Sequence, residues 1–240
     1  MQAPAHPEGM RRSMKLILFD IDATLLTTGA AGADAMRYAF ADLCGIANGF
    51  AGIEMSGKTD AAILREALVQ HQVEETVVSV EAFYERYISH LRLTLQEPHR
   101  PRRLMPGIPA LLEDLAGQPD LVLGLLTGNF AIGAQLKLES FGIWHYFRLG
   151  AYGSDHVDRN ALVPIAHQRT QVLFGHTIPA QQTFVIGDTP RDIACAHAHG
   201  ARAVAVATGN YPLAELRRYA PEHAFEDLAD VPTIMRIFQD

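Results

Sequence analysis

Lys15-Leu16-Ile17-Leu18-Phe19-Asp20-Ile21-Asp22-Ala23-Thr24 is an apolar run that stops abruptly at two acids. The run does not alternate with polar residues, so it reads as a strand buried on both faces. Three more runs have the same form: Leu121 to Leu126, Thr183 to Ile186 and Ala203 to Ala207. Tyr146 to Leu149 and Ala224 to Phe225 give weaker strand signals. Between the runs lie segments with helical spacing and defined stops. Ile108 to Leu115 follows Pro106-Gly107, Ala131 to Phe141 ends at Gly142, and Arg191 to His199 ends at Gly200. Strands alternating with helices predict an α/β fold, a Rossmann-like parallel sheet covered on both faces.

One stretch breaks the alternation. Gly29 to Glu97 offers no strand but three helical patterns: Ala33 to Leu43, Ala61 to Gln70 and Val80 to Leu95. That is far longer than a connection within one βαβ unit. It predicts a helical subdomain inserted after the first strand, with Pro98, Pro101 and Pro106 marking the return. The expected organisation is a disordered lead-in over residues 1–13 (with Met14 as an alternative start), an α/β core over 14–28 and 103–240, and the helical insert over 29–102.

Hydrophobic residues at 48% and charged residues at 20% are ordinary for a soluble globular protein. No apolar run reaches the roughly 18–20 residues that span a bilayer, so no membrane partner is expected. The two cysteines, Cys44 and Cys195, offer neither a disulfide framework nor a thiolate metal site, which predicts a reducing, cytoplasmic setting. A net charge of −7 argues against nucleic acid as a partner. The densest basic stretch, Arg100-Pro101-Arg102-Arg103, reads as a solvated linker. Oligomeric state, monomer or homodimer, is not legible.

In open parallel sheets, ligands bind outside the carboxyl ends of the strands. Asp20-Ile21-Asp22 follows the first strand, Thr127-Gly128-Asn129 the second, and Gly187-Asp188-Thr189-Pro190-Arg191-Asp192 the third. Each piece alone could be an ordinary strand-end turn; their convergence on one edge carries the argument. Clustered carboxylates repel unless a cation sits between them, and hard oxygen donors suit Mg²⁺. Asp20 can attack phosphorus to give an acyl phosphate, and Asp22 can protonate the leaving alkoxide and then deprotonate water. Thr127-Gly128-Asn129 reads as a phosphate cradle in which Asn129 caps a helix starting at Phe130. Thr189 as N-cap and Pro190 at N1 would put Asp192 at N3, where an acid suits the helix end.

These motifs resemble those of the haloacid dehalogenase superfamily. Phe19 to Leu25, Leu125 to Asn129 and Ile186 to Asp192 are similar to its first, second and fourth motifs. Their order, with an insert after the first, resembles the phosphoglycolate phosphatase-like branch with a helical cap. The resemblance implies Asp20 as nucleophile and metal ligand, and Asp22 as general acid/base lending its backbone carbonyl to the metal. It further implies Asp188 as metal ligand, Asp192 as its support, Thr127 as phosphate ligand, and the inserted helices as a mobile cap.

The chain departs from the family twice. Ala23 stands where glycine is usual, which predicts a stiffer turn with intact chemistry. The third-motif lysine is absent, and Arg159 stands in its window, able to bind phosphate and a carboxylate through its fork. Lys137 is a rival for that lysine, but its mid-helix position reads as surface packing. Lys58, in Ser56-Gly57-Lys58-Thr59-Asp60, precedes an inserted helix in a turn that in the family reads the substrate; plain surface charge is an equal reading. His197 and His199, two apart on a helix, give little support to a zinc site. The expected function is a Mg²⁺-dependent phosphatase acting on a small phosphorylated metabolite: phosphoglycolate, a sugar phosphate or a nucleotide. The alternatives are a phosphomutase of the β-phosphoglucomutase type and a non-catalytic phospho-ligand sensor. A dehalogenase or phosphonate-cleaving enzyme would not be expected to carry Asp22.

Overall fold

The structure, a computed structural model, describes residues 14–238. The lead-in expected over residues 1–13 lies outside the described residues. The first half of the chain forms β1 (Lys15–Phe19), β2 (Leu26–Thr27), α1 (Ala31–Cys44), α2 (Asp60–Gln70), α3 (Val80–Thr94), β3 (Arg103–Leu104) and α4 (Ile108–Ala116). Then come β4 (Leu121–Thr127), α5 (Ala131–Glu139), β5 (Leu149–Tyr152), α6 (Leu162–Phe174), β6 (Thr183–Gly187) and α7 (Pro190–His197). β7 (Arg202–Val206), α8 (Leu213–Leu216), β8 (His223–Phe225) and α9 (Val231–Ile237) complete it.

Six strands form one parallel sheet in the order β5-β4-β1-β6-β7-β8. Side chains alternate across a strand, so each strand feeds two cores. Ile17 and Phe19 join α4, α5 and α9 on one face, while Leu16 and Leu18 join α6 and α7 on the other. That two-sided burial is why the runs are continuously apolar.

The insertion's helices bury their own cluster, including Met36, Phe40, Leu64, Phe83 and Leu91, joined by Phe130 from the sheet side. Thr59 and Ser79 cap α2 and α3, each side chain accepting from the N–H three residues on at 3.2 Å. The two linkers pair as an antiparallel ribbon, β2 with β3, which the sequence reading did not assign. Arg100, expected in a solvated linker, is instead 12% exposed and ties the linkers together. It donates to Gly29 O at 2.9 Å and Asp34 Oδ2 at 2.7 Å, and pairs with Glu97 at 2.8 Å.

The strand expected at Tyr146 to Leu149 lies three residues later, at β5, because Trp144–Tyr146 forms a 3-10 turn and Gly150-Ala151 hide the strand's propensity. Helices α6 and α9 were not anticipated. Each carries proline in its first turn, Pro164 and Pro232, where it reads as a breaker but is tolerated. Among the described residues no helix is long and apolar enough to cross a membrane.

Candidate active site

Register assembles the site. Phe19 aligns with Leu125 of β4 and with Ile186 of β6, so Asp20, Thr127 and Asp188 emerge together at the carboxyl edge of the three central strands. Asp20, Asp188 and Asp192 are all buried, and each brings an oxygen within 4.8 Å of the others. Arg159, also buried, enters this cluster: its Nη2 donates to Asp192 Oδ1 and lies 3.2 Å from Asp20 Oδ1. The same fork reaches Leu126 O and Gly57 O, each at 3.3 Å. Thr24 Oγ1 donates to Asp188 Oδ1 at 3.1 Å. Asp192 Oδ2 accepts from Thr189 N at 3.0 Å and Thr189 Oγ1 at 2.7 Å, so the capping role read from the sequence is present. Ala23 sits at φ 62°, the left-handed region where the family's usual glycine would be unstrained.

Burial pushes the Asp20 carboxyl up from its ordinary range; Arg159 pulls it back, and Asp192 and Asp22 push it up again. Burial does the same to Asp188, reinforced by Asp192 and Asp20. Burial also opposes the charge on Arg159, but Asp192 and Asp20 outweigh it and hold the guanidinium protonated. One guanidinium against three buried carboxylates leaves excess negative charge, and the donors are all hard oxygens. That set fits a small divalent cation such as Mg²⁺. Asp20 and Asp188 are the better donors, because both oxygens of Asp192 are already engaged.

The Thr127-Gly128-Asn129 turn departs from expectation in one respect. Asn129 does not cap the following helix, which starts at Ala131. Its side chain turns into the site instead: Nδ2 donates to Asp22 Oδ2 and to Thr127 Oγ1, both at 2.8 Å, and Oδ1 accepts from Lys137 Nζ at 2.6 Å. The N–H of Phe130, the residue before the helix, donates to Asp60 Oδ2 of the insertion at 2.9 Å.

Lys137 overturns the surface reading. Its side chain is 5% exposed, and Nζ donates to Asp22 Oδ1 at 2.8 Å and Oδ2 at 2.6 Å. Gly133 and Lys137, four apart, share one face of α5, a spacing that was present in the sequence. The surface reading failed because the insertion covers that face.

Residues 56–60 of the insertion dock against this turn. Asp60 N donates to Gly128 O at 2.8 Å and Thr59 Oγ1 to Val157 O at 2.7 Å. A Cβ on Gly128 would lie 2.0 Å from Lys58 O, so this approach requires glycine. Lys58 reaches the cavity wall but pairs with Glu66. Burial pushes the Asp60 carboxyl up to about 6, against the pull of Lys137 and the Phe130 N–H. Insertion and sheet edge enclose a cavity of about 280 Å³ touched by Asp20, Asp22, Thr127, Arg159, Lys58 and Tyr87. Neither Asp60 nor Tyr87 was read as a site residue from the sequence; Asp60 stood only as an alternative to Thr59 for the N-cap of α2, a place Thr59 takes.

Residues 17–206 match the family described as haloacid dehalogenase-like hydrolase. The chain is 25% identical over 222 residues to a phosphoglycolate phosphatase of Agrobacterium fabrum, covering 89% of each. It is 25% identical over 224 residues to a probable phosphatase, IndB, of Dickeya dadantii, covering 90% of this chain and 91% of that protein. Its fold is similar to CbbY from Rhodobacter sphaeroides, solved in complex with phosphate, with TM-score 0.69, 17% identity, and coverage of 91% of this chain and 96% of that one. The chain belongs to the haloacid dehalogenase-like hydrolases.

Proposed function

We propose that this haloacid dehalogenase-like hydrolase is a Mg²⁺-dependent phosphatase of a small phosphate monoester, with residues 29–102 acting as a cap over a core of 14–28 and 103–240. The observation that carries this reading is the pair Asp20 and Asp22. Asp20 is buried among Arg159, Asp188 and Asp192, while Asp22 stands 48% exposed on the wall of the same cavity.

Asp20 and Asp188, with the Asp22 backbone carbonyl and Asp192 in support, would hold Mg²⁺, which when bound neutralises charge on the phosphoryl oxygens. An Asp20 carboxylate oxygen attacks phosphorus, and the bond to the leaving oxygen breaks as Asp22 delivers its proton there. Asp22 then takes a proton from water, whose oxygen attacks the aspartyl-phosphate; free phosphate departs and Asp20 is restored. Thr127 and the N–H groups of Gly128 and Asn129 receive the phosphoryl oxygens, and Arg159 adds its charge to the phosphate site while holding Asp20 ionised. The cap excludes water from the first step. Lys58 lies on the cavity wall where the leaving group would be read. At about 280 Å³ the cavity lies just below the roughly 300–1000 Å³ usual for ligand sites, which favours a compact ester such as phosphoglycolate or a sugar phosphate over a nucleotide. A cytoplasmic setting accords with this substrate class and with the two free cysteines, Cys44 and Cys195.

The test is phosphate release from a panel of monoesters that includes phosphoglycolate, with Mg²⁺ and with EDTA. Metal-dependent release with a clear preference is expected. Isomerised product without free phosphate would replace this reading with a phosphomutase, and binding without turnover would replace it with a sensor.

A further inference from the structure

We propose that Lys137 is a positioning residue for the general acid, holding the Asp22 carboxylate and the Asn129 amide in their working orientations. The inference rests on the phosphatase reading, and extends it to a residue outside the four motifs.

Three contacts converge on the Lys137 ammonium: both oxygens of Asp22 and Oδ1 of Asn129. An ammonium can only donate, so the Asn129 oxygen must face it. The amide nitrogen is thereby turned toward Asp22 Oδ2 and Thr127 Oγ1. One cation thus fixes the amide of the phosphate turn, orients the Thr127 hydroxyl through it, and grips the acid from two sides. The pair is lopsided in burial, 5% exposed for Lys137 against 48% for Asp22. The lysine is the fixed member, and the acid faces the cavity. A buried ammonium is costly unless paired, and Asp22 is the only carboxylate to which Lys137 hydrogen-bonds among the described residues. Rotating Asp22 away would strand that charge, which confines the carboxylate to an arc within reach of Nζ.

The insertion completes the arrangement. A Cβ on Gly32 of α1 would lie 3.1 Å from Lys137 Nζ, and one on Gly133 would lie 3.2 Å from the Tyr87 ring. Cap helices therefore pack directly over the lysine and keep solvent from competing for its contacts.

Leaving-group chemistry separates this role from a structural ion pair. An alkyl phosphate needs a proton on its departing oxygen; p-nitrophenyl phosphate departs as a stable anion and needs little help. The comparison uses kcat/KM, which reports steps through leaving-group departure and excludes the later hydrolysis that both esters share. In the full chain with Mg²⁺, Lys137→Met is expected to lower kcat/KM on the preferred alkyl ester by about 100-fold, the low end of acid–base contributions. The loss on p-nitrophenyl phosphate is expected to stay under about tenfold, and Lys137→Arg to restore much of the alkyl/aryl ratio. Equal losses on both esters, or no loss on either, would overturn the assignment while leaving the phosphatase reading intact. No release by the unaltered protein from either ester would overturn the phosphatase reading first. If Lys137→Met fails to fold, Lys137→Gln, which keeps a donor but not the charge, is read on the same ratio.

Discussion

Asp60→Asn isolates what it costs the protein to bury a carboxylate at the seam between insertion and sheet. Asp60 is 8% exposed, and its carboxyl rises from an ordinary 3.8 to about 6 in the folded chain, with burial as the largest cause. An acid with a higher pKa folded than unfolded keeps its proton longer in the folded state. Its contribution to stability is therefore full below pH 3.8 and is lost as pH rises through about 6. At 1.36 kcal/mol per pH unit, the interval between those values amounts to about 3 kcal/mol. The substitution keeps an oxygen to accept from the Phe130 N–H, so the helix end stays satisfied while the ionisation is removed. The variant should then gain stability relative to the parent by about 3 kcal/mol between about pH 4 and pH 7. With m near the upper end of about 1–3 kcal/mol/M, this is a relative midpoint shift of about 1 M urea. Urea unfolding of both proteins in EDTA across that range, followed by circular dichroism, measures it. A stability difference that stays flat with pH would refute the reasoning, since it would mean that Asp60 titrates alike folded and unfolded.

Asp20→Asn should abolish phosphate release while leaving the urea midpoint near that of the parent or above it; near-normal turnover would remove Asp20 as nucleophile. Ala23→Gly relieves a left-handed backbone at φ 62° and should stabilise by about 1 kcal/mol with activity unchanged, raising Tm by about 2–4 °C. Gly128→Ala puts a carbon 2.0 Å from Lys58 O, so the insertion turn must lift off the phosphate turn. A rise in KM and a fall in kcat are expected from steady-state kinetics, with circular dichroism unchanged.

The sheet was legible because burial on both faces leaves continuous apolar runs, and the runs from Lys15, Leu121, Thr183 and Ala203 match β1, β4, β6 and β7 to within a residue at either end. The carboxylates were legible for a related reason: Asp20 and Asp188 stand directly after strands, Asp22 two residues beyond Asp20, and a parallel sheet sends those ends to one edge. Misread elements were those whose local signal opposes their fate. Arg100 has the composition of a linker yet bridges Asp34 and Glu97. Pro164 and Pro232 look like breaks yet lie in the first turns of helices.

By itself the sequence determined the α/β alternation, the helical insertion and the acids at the strand ends, since each depends on residues close together in the chain. Only the tertiary structure decided which cations serve those acids and what covers them. Arg159 reaches Asp20 and Asp192 from a separate 3-10 turn, Asp60 accepts from the Phe130 N–H 70 positions away, and Lys137 is covered by α1 and α3 as well as by Asp22 and Asn129. A charge in a helix reads the same whether that face meets water or another helix. Its environment is set by packing between distant segments, which local spacing does not encode.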